Sequence, residues 1–116
     1  MRHLLAFCAL CAMVSAAAAD TAGTAAELAA VAELGRVNGI ALACNRADLV
    51  TKAKALMVAR VPKTRAFGEA FETSTNDAFR AQGSEACPVD VVLSLRLEAA
   101  DLKLGNAFPP MVPSQQ

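Results

Sequence analysis

The chain of 116 residues contains a single histidine, His3, and neither tryptophan nor tyrosine. Histidine is the commonest general acid–base residue and the commonest nitrogen ligand of protein metals. Beyond residue 3 there is none, so His-dependent triads and His-ligated zinc or copper sites are excluded from the body of the chain. The five phenylalanines are its whole aromatic content, and a core must come from small aliphatic side chains. Charge of one sign is also lacking. Eleven Lys and Arg meet eleven Asp and Glu, which leaves no global footprint for nucleic acid. No paired acidic motif, nucleophile elbow or phosphate-cradling glycine loop occurs. Ser74, Ser84, Ser94 and Ser114 have no histidine to activate them. The expectation is a non-enzymatic chain with no catalytic residue, no metal site and no cofactor.

What is present begins with a leader. Met1-Arg2-His3 is a short basic start, Leu4–Val14 is an apolar run, and Ser15–Ala19 supplies small residues with Ala17 and Ala19 in the A-x-A positions. A cut before Asp20 follows, giving residues 1–19 as signal peptide, 20–105 as a helical domain and 106–116 as a Pro-rich tail. The apolar run is far shorter than the ~20 residues that span a bilayer. A periplasmic or secreted location is expected, and the Ala-rich leader has a bacterial look. Cys8 and Cys11 form a Cys-x-x-Cys, but inside a discarded apolar run they serve as small hydrophobes.

Cys44 and Cys87 remain. Two cysteines in an exported chain allow one intramolecular disulfide, and an oxidising compartment favours it. The alternative, two free thiols at a redox site, has no histidine to activate either sulfur.

The rest of the chain punctuates into four helices. Thr24 and Glu27 make a capping box before a first helix, about Ala25 to Cys44, with Leu28, Val31, Leu34 or Ala32, Val37, Ile40 or Ala41, and Cys44 at helical period. Asn45 reads as the N-cap of a second helix, Arg46 to Arg60, which Pro62 ends. Thr64 caps a third, Arg65 to Gln82, with Phe67, Ala70, Phe71, Ala78 and Phe79 on one face. Its run Thr73-Ser74-Thr75-Asn76 is poor helix material and predicts a bend or fray. Cys87-Pro88-Val89-Asp90 starts a fourth helix that ends at Gly105, and the tail from Phe108 is extended or disordered. A strand over residues 89–97 competes, because apolar and polar residues nearly alternate there, but no second strand exists to pair with it.

The expected architecture is therefore all-α, an up-down-up-down four-helix bundle with one disulfide. In that topology the end of helix one and the start of helix four share a pole, which is where Cys44 and Cys87 lie. In layout the chain is similar to small periplasmic helical proteins of the acid-stress chaperone type, which combine a cleaved leader, an all-helical domain and a long-range disulfide. That resemblance implies a fold and carries no residue's role across.

Three features bear on function. Gly35, Gly39 and Ala43 repeat at four-residue spacing, which permits close packing inside the bundle or a self-association face. Arg46, Lys52, Lys54, Arg60, Lys63 and Arg65 face only Asp48 in their window, making an anion-facing segment, while Ala66–Asp101 is acidic. A solvated face with intrachain pairing is the plainer reading. The fourth helix carries two apolar stripes, Val92, Leu95, Ala99, Leu102 and Val89, Leu93, Leu97, Ala100, Leu104, separated only by Arg96 and Lys103. An apolar sector this broad either sits deep between neighbouring helices or leaves one stripe available to a partner. The second stripe, through Val89, Leu93, Leu97 and Leu104, is the one expected to bind.

The expected function is protein–protein contact, as a chaperone-like helper, adaptor or inhibitor. The alternative is a periplasmic carrier whose wide apolar sector holds a lipidic or other apolar small molecule. The expected partner is a protein, with a second copy of the chain among the candidates. A membrane surface is a weaker candidate, and nucleic acid is not expected.

Overall fold

A computed structural model describes residues 22–110. They form four helices, α1 (Ala25–Ala43), α2 (Ala47–Arg60), α3 (Arg65–Gln82) and α4 (Asp90–Ala107), and no strand occurs among them. The predicted leader and the residues after Pro110 lie outside this range. Residues 89–97 are helical from Asp90 onward, so the strand alternative fails.

α1 opens as its sequence dictates. The Glu27 amide donates to Thr24 Oγ1 at 3.1 Å, and the Thr24 amide donates to Glu27 Oε1 at 2.8 Å. The end of α1 differs from expectation. Asn45 is not the N-cap of α2; its φ of 58° makes it the left-handed residue that terminates α1. The Arg46 amide donates to Ala41 O and the Asn45 amide to Leu42 O, the paired bonds of a Schellman motif. α2 consequently starts at Ala47 with Arg46 as its N-cap and no side-chain capping bond.

α1 is the axis of the molecule. Ala30, Val31, Leu34, Val37 and Ala41 are almost wholly buried, and so are Gly35, Asn38 and Gly39. A helix buried around most of its circumference must have neighbours on several sides. α2 and α4 pack on one side of α1 and on each other, while α3 packs against α1 alone. Bonds from Ser74 to Ala32 and from Thr75 to Gly35 set α3 parallel to α1. Ion contacts from Arg46 to Asp90 and from Arg60 to Asp101 set α2 parallel to α4. The result is an up-down-up-down bundle.

The α1–α3 seam explains the glycines. A Cβ on Gly35 would stand 2.6 Å from Phe71 O, and one on Gly39 would collide with Thr75 O. The spacing of small residues therefore serves internal packing, and a self-association face at Gly35 and Gly39 is ruled out by their burial. The polar run of α3 does not interrupt the helix, which is continuous from Arg65 to Gln82. Ser74 donates to Ala32 O, Thr75 donates to Gly35 O at 3.1 Å, and Asn38 Nδ2 donates to Thr75 Oγ1 at 3.2 Å. Side chains that weaken a helix by propensity here add hydrogen bonds to its neighbour, beside the packing of Phe67, Ala70, Phe71 and Ala78 on the core.

On the other side the core is aliphatic. Leu34, Leu49, Leu93 and Leu104 have at most 2% of their surface exposed. The Cys44–Cys87 disulfide joins the C-cap of α1 to the segment before α4, with the two Cα atoms 5.8 Å apart. Cys87 and Pro88 are thereby held outside α4, whose N-cap is Val89. α4 runs past the expected stop at Gly105 to Ala107. Gly105 instead leaves room for the Arg60 guanidinium, which a Cβ there would meet at 2.8 Å. The tail also starts differently from expectation. Phe108 packs edge-on against Phe67, ring centroids 5.2 Å apart, and closes the open pole of the α1–α3 pair.

Candidate functional site

Among the described helices α3 packs against α1 alone, so a gap opens between α3 and α4 with α1 as its floor. The floor is one row of α1, Leu28, Ala32, Arg36 and Ile40, four residues apart and so on one face. The α3 wall presents Ala66, Ala70, Thr73, Asp77 and Ala81, and Arg96 of α4 stands opposite. The groove holds about 1010 Å³ and is open to solvent along its side. Spread over roughly 25 Å of helix, that volume is a cross-section of roughly 40 Å², less than half that of a helix with its side chains. Such a gutter admits a row of side chains.

The rim continues as the outer face of α4. Val89, Val91, Leu95 and Leu102 are 57–73% exposed, and Val92 is 37% exposed. The expected binding stripe is thus corrected. Leu93, Leu97 and Leu104 are buried against α1 and α2, and only Val89 of that stripe faces outward. The free stripe is Val92, Leu95, Ala99 and Leu102. The choice between two nearly equal stripes depended on which side α1 and α2 would occupy, and the sequence of α4 contains no such information.

The basic segment is partly spent within the chain. Arg46 contacts Asp48 at 3.2 Å and also Asp90; Arg60 contacts Asp101 at 3.1 Å; Arg65 bonds Glu69 at 2.7 Å. Lys52, Lys54 and Lys63 are exposed and make no ion pair among the described residues. Only three of the six expected anion-facing cations remain uncommitted. The Arg46 hydrogen bond holds the Asp48 carboxyl below its ordinary range, and Glu69 raises Arg65 through its hydrogen bond and charge.

Among the described residues no group of three His, Cys, Asp or Glu is placed to hold a metal. None of the described helices is long and apolar enough to cross a membrane. The groove was missed in the sequence because it arises from an absent contact between α3 and α4. The alanines at 66, 70 and 81 were its one sequence signal, since they leave the α3 wall shallow. No family model, curated protein or solved structure matches this chain.

Proposed function

We propose that this chain is an exported, non-enzymatic helical domain that works by protein–protein contact through the α3–α4 groove and the outer face of α4. The leader pattern and a disulfide of the kind kept in oxidising compartments support export. The observation that carries the contact reading is Leu95 and Leu102, 57% and 73% exposed, standing in one apolar row beside an open gutter. Contiguous exposed apolar surface of this sort marks an interaction site more often than a random surface. A carrier would enclose most of its ligand, whereas this groove is shallow and open, which favours contact over carriage. A chaperone-like helper, an adaptor and an inhibitor all fit such a face.

A photocrosslinking amino acid placed at Leu95 or Leu102 tests the reading against one placed at Val58, which is equally exposed on α2. Crosslinked protein products in the envelope fraction from residues 95 and 102, and few from residue 58, are expected. Equal yields from all three positions would overturn the reading.

A further inference from the structure

Resting on that reading, we infer that the partner seated in the groove is a second copy of this chain, each copy laying the outer face of its α4 along the other's α3. The two surfaces match in length, since α3 and α4 each have 18 residues, roughly 27 Å. They match in relief. α4 offers a row of large side chains, Val92, Leu95 and Leu102, and the α3 wall offers alanines that let a helix come close.

They also match in charge. Arg96 and Lys103 border the α4 row, are exposed, and make no ion pair among the described residues. Glu69 and Asp77 stand on the α3 side of the groove. Seven residues separate the cations and eight the carboxylates, repeats of roughly 10.5 and 12 Å along a helix. A long side chain covers that difference. Glu69 and Asp77 already contact Arg65 and Arg80, but those pairs are exposed on the surface, worth little, and open to a further cation.

A two-fold axis parallel to the helices sets each α4 over the other copy's α3 and makes every contact twice. The shared face is two helices wide, so its projection is roughly 500 Å² per copy. True accessible area exceeds projection, which brings the pair near the ~600 Å² per partner at the small end of specific interfaces. This is a modest dimer, one that concentration should control.

Sedimentation of the purified disulfide-bonded chain over a roughly hundredfold concentration range reads the mass directly. A shift from one to two copies is expected. Leu95→Lys and Leu102→Lys should each weaken it at least about tenfold while leaving helix content, and melting at dilutions where the parent is monomeric, unchanged. A charge-exchange pair sharpens the test. A chain with Arg96→Glu and Lys103→Glu and a chain with Glu69→Lys and Asp77→Lys should each stay monomeric alone and form a mixed dimer together. A chain monomeric throughout, or a dimer indifferent to Leu95→Lys, overturns the inference. Such a chain that still crosslinks other proteins through residue 95 leaves the contact reading standing; one that does neither ends both.

Discussion

The two sides of α1 are built on different principles. Toward α3 the contact is backbone against backbone, permitted by Gly35 and Gly39 and fastened by the hydroxyls of Ser74 and Thr75. Toward α2 and α4 it is leucine against leucine, with a disulfide at one pole and the Arg60–Asp101 ion contact near the other. The first depends on close fit, and the second on buried apolar area and a covalent tie. A close-fit seam has little tolerance for added volume, whereas a leucine core fails when volume is removed.

Removing the tie should have the largest effect. Replacing Cys44 and Cys87 together with alanine opens a loop of 43 residues, for which loop-closure entropy gives about 4 kcal/mol. That approaches the full stability of a small domain. Urea unfolding should show a collapse of the midpoint. A loss under 1 kcal/mol would mean that the leucine side holds without its tie.

Gly39→Ala breaks the other side. The new methyl meets the Thr75 carbonyl and the Phe79 amide, which are backbone and cannot swing aside. Overpacking costs about 1–3 kcal/mol, against a gain of about 1 kcal/mol for replacing a helical glycine. With the overpacking cost near the top of its range because backbone must move, the net loss should be about 2 kcal/mol. It should also be local. Hydrogen exchange should show α3 amides losing protection first while those of α1, α2 and α4 stay slow. Uniform loss across all four helices would mean that the two sides of α1 unfold as one unit.

This contrast marks what the sequence could and could not reveal. Helix identities, the Thr24–Glu27 box, the Thr64 cap and the disulfide followed from rules acting over a few residues or on two cysteines alone. Packing order did not. Ser74 and Thr75 looked like a weak point because propensity counts only the helix's own bonds, and their partners are carbonyls of α1, about forty residues earlier in the chain. Asn45 has the composition of an N-cap and serves as a helix terminator, since asparagine suits both conformations. The site was hidden for the same reason. The two stripes of α4 have nearly equal composition, and only the position of α1 decides that Leu93 is inside and Leu95 outside.

A second glycine sharpens the seam argument with the opposite sign. Gly68 lies within α3, and a Cβ there would meet nothing within 4 Å. Gly68→Ala should therefore stabilise by about 0.5–1 kcal/mol through helix propensity and the unfolded chain. Thermal melting of Gly68→Ala beside Gly39→Ala separates fit from propensity, since the residue change is identical. If both destabilise, close approach is not what distinguishes them.

The smallest effect belongs to the ionic edge of the α2–α4 side. Asp48 accepts from Arg46 and its carboxyl is held below the ordinary carboxylate range, chiefly by that hydrogen bond. A group with a lowered folded pKa contributes stability above its unfolded value and loses it as the pH falls toward the folded one. The Asp48 side chain is 57% exposed, so solvent screens the contact and the contribution is slight. Asp48→Asn should make the chain marginally less stable at neutral pH and indistinguishable from the parent once the pH lies below the carboxylate range. Arg46 also contacts Asp90, so Asp48→Asn leaves α2 and α4 joined at that pole. A gap between the two proteins that widened on acidification would assign the pH response to another carboxylate and detach Asp48 from the stability of this side.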